Sequence, residues 1–100
     1  MKVYFVQSGG LVGVVKGRDI DTAALAPDAA RELEHLVRGS GISGAGVFLS
    51  DTGRDLQQYE ITIEDGDRKT AVVFDDSTIP QSAKPLLGFL KKQARPKALN

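Results

Sequence analysis

The sequence predicts an α+β fold in the order ββαββα, a four-stranded antiparallel sheet with two helices packed on one face. Three observations predict it. Residues 2–7 and 11–20, and again residues 59–74, carry strand-type apolar patterning that runs through a glycine-containing turn. Residues 24–39 and 82–94 shift to helical spacing. Finally, 100 residues make one domain, spanning 1–100, and leave no room for a second.

The first strand, 2–7, is β-branched and aromatic on both alternating faces, as expected for a strand closely flanked by neighbours. Ser8-Gly9-Gly10 interrupts it, and the apolar run resumes over 11–20, so a hairpin with a glycine-rich tip follows. Gly13 and Gly17 weaken that second strand and mark candidate bulges. Behind Pro27, the residues Ala29, Ala30, Leu33, Leu36 and Val37 recur at helical spacing, and Gly39 is the expected C-cap. Glu34 and Arg38 stand four apart in the favourable order, and Arg31, His35 and Arg38 lie on the opposite, solvated face.

Residues 39–55 hold five glycines and three serines around one apolar island, Val47-Phe48-Leu49, and read as a long irregular connection pinned at that island. Tyr59, Ile61 and Ile63 then alternate with polar residues, and Asp65-Gly66 signals a hairpin turn. With those two residues as the loop, Ile61 faces Thr70, Tyr59 faces Val72 and Thr62 faces Lys69. Ala83, Leu86, Leu87 and Leu90 form the stripe of the second helix, with Pro85 in its first turn and Pro96 ending it. Both halves share a hairpin, an acidic stretch, a proline and a helix, but few residue identities, so the echo supports the element order and not a duplication.

Thirteen basic and thirteen acidic side chains cancel, which argues against a general nucleic-acid or membrane-surface binder. A composition 41% apolar and 26% charged is that of a chain that folds. Without cysteine there are no disulfides, thiolate metal sites or thiol nucleophiles. The N-terminal apolar run is too short for a signal-peptide core, and no stretch approaches a membrane span, so the expected location is the cytoplasm.

No arrangement of residues supports catalysis. Gly39-Ser40-Gly41-Ile42-Ser43-Gly44 fits G-x-G-x-x-G, but a helix precedes it where the nucleotide fingerprint needs a strand. Glu32-x-x-His35 has the spacing of a di-iron half-site, yet His35 is the one histidine and lies on the polar face. Glu64-Asp65-Gly66-Asp67 lacks the twelfth-position glutamate of a calcium loop. Asp75 and Asp76, adjacent at a strand end, point apart and cannot converge on one substrate; helix capping and dipole compensation fit them better. The chain is therefore expected to be a binding module and not an enzyme, without cofactor or metal, whose candidate surfaces are the Ser8-Gly9-Gly10 tip and the glycine-rich loop leading to Tyr59.

Several spacings together resemble one family. They are Phe5-x-x-Ser8-Gly9-Gly10, the segment from Leu25-Ala26-Pro27 to Glu32-Leu33-x-x-Leu36-Val37, Asp55-x-x-x-Tyr59-Glu60-Ile61-Thr62-Ile63-Glu64-Asp65-Gly66, and Ile79-Pro80 followed by Pro85-Leu86-Leu87-x-x-Leu90. The ordered set, spanning nearly the whole chain, resembles the emfourin-type, protealysin-associated inhibitors of thermolysin-like metallopeptidases. It departs from that pattern at Val47-Phe48-Leu49-Ser50, where the proline of a Phe-x-Leu-Pro-like element is missing. The resemblance implies a small cytoplasmic bacterial protein that blocks the active-site cleft of a thermolysin-like zinc peptidase, the partner carrying the zinc.

Such an inhibitor must enter a cleft, present backbone for extended pairing and offer an apolar side chain to a pocket. The expected peptidase-binding residues are Ser8, Gly9, Gly10, Leu11, Asp55, Leu56 and Gln57, with Leu11 or Leu56 filling the pocket. Gly9 and Gly10 equally suit a turn that needs positive φ, and Tyr59 suits the core better than a contact. A monomer is the expected state. The competing class is a non-catalytic interaction or oligomerisation domain that pairs through an edge strand.

Overall fold

In the computed structural model the described residues are 1–9, 15–50 and 56–96. The elements run β1 (Lys2–Gly9), β2 (Lys16–Asp21), a 3₁₀ turn (Thr22–Ala24), α1 (Pro27–Gly39), β3 (Gly46–Phe48), β4 (Gln57–Asp65), β5 (Arg68–Asp75), a 3₁₀ turn (Gln81–Ala83), α2 (Lys84–Gln93) and β6 (Arg95–Pro96). The α+β class and the two helices agree with expectation. The sheet does not: among the described residues it has six strands in the order β3-β5-β4-β1-β2-β6, and their order does not follow ββαββα.

The two added strands are short and sit at the two edges. β3 comes out of the connection that reads as irregular, pairing parallel to β5 with Val47 beside Val73 and Phe48 beside Phe74. It makes the sheet mixed instead of wholly antiparallel. β6 sets Pro96 beside Lys16 and Arg95 beside Gly17. Pro96 therefore does more than stop α2; proline lacks an N–H to donate and is tolerated where a strand has a free side.

Two antiparallel pairs, β1 with β2 and β4 with β5, meet along β1 and β4 at the centre. Gly17 lies in an unbroken ladder opposite Val6, so it marks no bulge. Gly13 lies outside the described residues. The β1–β2 ladder closes at Gln7 and Lys16, while Ser8 and Gly9 continue against β4. They are strand residues and not the hairpin tip that the glycines suggested, and β2 starts later than position 11.

Between β4 and β5 the register differs from expectation by two residues. Ile61 faces Val72, Tyr59 faces Phe74 and Thr62 faces Ala71, with Asp65 opposite Arg68. The loop is thus Gly66-Asp67, with positive φ (62°) at its first position only, the pattern of a type II′ turn. A shift of two keeps each side chain on its face, so the expected buried set survives.

Val3, Phe5, Tyr59, Ile61, Ile63, Val72 and Phe74 all point to one face, where they form one core with Leu33 and Val37 of α1 and Leu86, Leu87 and Leu90 of α2. Both helices pack on that face. Arg31, His35 and Arg38 are exposed, as expected. The ion pair of α1 among the described residues joins Arg31 to Asp28 and not Glu34 to Arg38. Gly39 is the last helical residue and not the cap. Ser40 caps α1, its buried hydroxyl donating to the Val37 carbonyl (2.6 Å) and accepting from the Ile42 N–H (3.2 Å); the left-handed residue is Gly41 (φ 77°).

Candidate functional site

One end of the sheet collects residues that are far apart in sequence. Ser8 pairs with Gln58 and Gly9 with Gln57, where β1 finishes and β4 begins. Ser50 is brought to the same end by its bonds to Asp75. Of the expected contact residues, Ser8, Gly9, Leu56 and Gln57 are brought together here, and Gly10, Leu11 and Asp55 lie outside the described residues. Ser8, Leu56 and Gln57 are half-buried.

Gly9 has φ 82°, and a Cβ there would stand 3.0 Å from the Leu56 carbonyl oxygen. The backbones of the two segments touch because position 9 has no side chain. Gln57 is held from several sides. Its side-chain amide donates to the Gly9 carbonyl (3.2 Å) and accepts from the Gln7 amide (3.2 Å). Its N–H donates to the Asp76 carboxylate (3.2 Å), while its carbonyl accepts from the Asp76 N–H (3.2 Å).

The second Asp76 oxygen accepts from the Tyr59 hydroxyl. Tyr59 belongs to the core, its ring stacked on Phe5 (centroids 6.3 Å, 10° between planes), with the Lys91 ammonium 5.4 Å from the ring centroid. Burial, and then the bond to the Asp76 carboxylate, push the Tyr59 hydroxyl well above the usual phenol range. It stays a donor at any pH near neutral.

Asp75, without exposed surface, organises the other side of this end. One oxygen accepts from the Ser50 N–H (2.7 Å) and hydroxyl (3.0 Å), the other from the Ser77 N–H (2.8 Å) and hydroxyl (2.7 Å). The Ser50 N–H leads these contacts in holding the carboxyl far below the usual range, outweighing the opposing effect of burial. The Asp75 N–H donates to the Thr78 hydroxyl (2.9 Å), which donates to the Phe48 carbonyl.

Helix capping, expected for both aspartates, is not what they do. α2 begins at Lys84, with no side-chain cap, and the acceptor capacity of Asp75 and Asp76 goes to the strand end. Asp75 is already filled with donors and held ionised, and Asp76 is bonded to Tyr59 and Gln57. Among the described residues, no three His, Cys, Asp or Glu side chains gather as a metal site, and no helix is long and apolar enough to cross a membrane. The arrangement offers paired backbone and a half-buried leucine: it can bind.

Sequence reasoning missed Asp75 as a hub and the exposure of β3. Val47, Phe48 and Leu49 are 69%, 49% and 41% exposed. Phe48 is nevertheless pinned, stacked on Phe74 (5.5 Å, 19°) beside a groove of about 380 Å³ lined by residues 40–45, Val72 and Thr78. Because β3 runs parallel to β5, it delivers Leu49 and Ser50 to the same sheet end as Gly9 and Gln57. Three consecutive apolar residues without alternation were the available signal.

No curated protein and no solved structure matches the chain. The sequence model of the emfourin family matches residues 5–91. That span runs from the middle of β1 to the last turns of α2 and contains the whole of this sheet end with its anchors. The chain belongs to the emfourin family, whose inhibitor role is the one the sequence resemblance implies.

Proposed function

We propose that the protein inhibits a thermolysin-like zinc metallopeptidase by non-covalent binding in the active-site cleft, presenting Ser8, Gly9, Leu56 and Gln57 together with Gly10, Leu11 and Asp55. It acts as a cytoplasmic monomer and performs no chemistry of its own. The observation that carries this reading is the meeting of two family-motif segments, 48 residues apart, on neighbouring strands at one sheet end. Leu56 offers the apolar side chain for a pocket, and the backbone contact at Gly9 allows close approach.

Mixing the protein with a thermolysin-like peptidase is the test. A stoichiometric, saturable loss of peptidase activity is expected, weakened in a folded Gly10→Val, Leu56→Ala double mutant and unchanged in Arg31→Ala. Full inhibition by the double mutant moves the contact surface elsewhere, most directly to 39–53. A second reading, pairing with another copy through an edge strand, is favoured by the exposed Val47-Phe48-Leu49. A mass that rises with concentration, together with no effect on the peptidase, selects that reading.

A further inference from the structure

The segment 51–55 is flanked on each side by a residue tied to β5, and the two ties are adjacent in sequence. Ser50, before it, donates through both its N–H and its hydroxyl to Asp75. Gln57, after it, exchanges two hydrogen bonds with Asp76. Asp75 is the last residue of β5 and Asp76 begins the turn after it, and the two neighbouring carboxylates receive two different flanks.

We propose that Asp75 and Asp76 are positioning residues for inhibition, which fix Ser50 and Gln57, and with Gln57 the backbone of Leu56, in the arrangement that a peptidase meets. This rests on the inhibitor reading above and says which residues outside the contact surface set its affinity. Association costs the ordering of whatever side chains and backbone the partner immobilises, so holding Ser50 and Gln57 in place beforehand leaves more of the contact energy as affinity.

The chemistry at position 75 fits this role. A carboxylate enclosed in protein is costly to desolvate, and a core needs none; an apolar side chain of similar size is often as stable or more so. What the carboxylate provides is acceptor capacity. Its two oxygens take four donors, two from Ser50 and two from Ser77. Asparagine has one carbonyl oxygen, so it keeps the shape and must release one of the two serines. The Thr78 hydroxyl extends the same network to the Phe48 carbonyl, tying the end of β3 to it. Asp76 is exposed and holds Gln57 through its carboxylate and its N–H. Its carboxylate also accepts from the Tyr59 hydroxyl, so Asp76→Ala releases the Gln57 N–H and that hydroxyl together and leaves the Asp76 N–H bond to Gln57 in place.

The experiment compares Asp75→Asn, Asp76→Ala and the wild type in the full chain. Each is measured for melting temperature, for its inhibition constant against a thermolysin-like peptidase, and for amide hydrogen exchange at Ser50, Ser77 and Gln57 relative to Phe5 and Ile61. Faster exchange is expected in the first variant at whichever of Ser50 and Ser77 the asparagine releases, and at Gln57 in the second, with Phe5 and Ile61 little changed; a first variant that releases Ser77 and keeps Ser50 leaves the test to the second. The inhibition constants should rise about tenfold or more, beyond what the fall in melting temperature explains. The loss in Asp76→Ala should shrink in a Leu56→Ala background, because positioning a side chain that is no longer there gains nothing.

Unchanged inhibition by both folded variants overturns the proposal. So does a loss that follows melting temperature and simply adds to that of Leu56→Ala, since the aspartates are then only structural. Should Asp75→Asn fail to fold, the exposed Asp76 carries the test alone. A wild-type chain that does not inhibit removes the inhibitor reading and the positioning role with it, whereas a wild-type inhibitor indifferent to both substitutions removes the positioning role alone.

Discussion

A carboxylate without exposed surface is tolerated at position 75 because four donors meet its two oxygens. The same donors set a pH dependence. They hold the Asp75 carboxyl below its ordinary range, so its contribution to stability is complete above the unfolded-state value of about 3.9 and is lost as pH falls below that. Melting temperature should therefore decline between about pH 4 and pH 2 in the wild type. Asp75→Asn should be less stable at neutral pH and lose less over that interval, as thermal denaturation followed by circular dichroism will show. Position 9 is constrained by geometry instead of charge. Left-handed φ and a carbonyl 3.0 Å from the place of a Cβ mean that Gly9→Ala strains the backbone and presses on Leu56 together. A stability loss of about 1–2 kcal/mol in denaturant titration is expected from the conformation alone. Gly9 thus meets a structural demand whether or not a partner touches it, so position 10 is the more informative probe of contact.

At the scale of elements, the β4–β5 hairpin shows how much a turn can move without harm. The turn forms at Gly66-Asp67 and not at Asp65-Gly66, yet Ile61 and Ile63 stay inward because a two-residue shift preserves the alternation. β3 follows another logic. Its three residues take their place from parallel pairing with β5, the ring stack of Phe48 on Phe74 and the tie from Thr78 to the Phe48 carbonyl. Val47 lies mostly in solvent, so Val47→Lys should change stability by no more than about 0.5 kcal/mol. Phe48→Ala loses an aromatic pair worth about 0.5–1.5 kcal/mol beyond its buried area, and should cost more. Chemical denaturation of the two variants side by side checks the order. The lysine also distinguishes the two functional readings: a charge on this edge should abolish self-association through β3. Inhibition through Leu56 and Gln57 does not use Val47 and should persist.

For the whole molecule, both helices and the central strands share one apolar core, and truncating it has a predictable cost. Leu90 is enclosed between α2 and the sheet, so Leu90→Ala should lose about 2–5 kcal/mol in denaturant titration, a large share of a small domain's stability. That core was legible in the sequence. The 3.6-residue spacing of Leu33 and Val37, and of Leu86, Leu87 and Leu90, and the alternation of Tyr59, Ile61 and Ile63 are local patterns that name their own buried faces. The family motifs were legible for the same reason, being runs of neighbouring residues. The edge strands were not. β6 is two residues long, one of them proline, and β3 stands in a stretch rich in glycine and serine; neither has a pattern of its own, and each becomes a strand only because a finished neighbour offers hydrogen-bonding groups. The work of Asp75 and Asp76 was equally hidden, since Ser50 is 25 residues from Asp75 and Gln57 is 19 from Asp76. Sequence alone determined the class, the helices, the buried faces and the family, because periodicity and motif are written between neighbouring residues. Only the tertiary structure decided the strand count, the turn register and the meeting of Gly9, Gln57, Asp75 and Asp76 at one end, because long-range pairing chooses its partners among elements already formed.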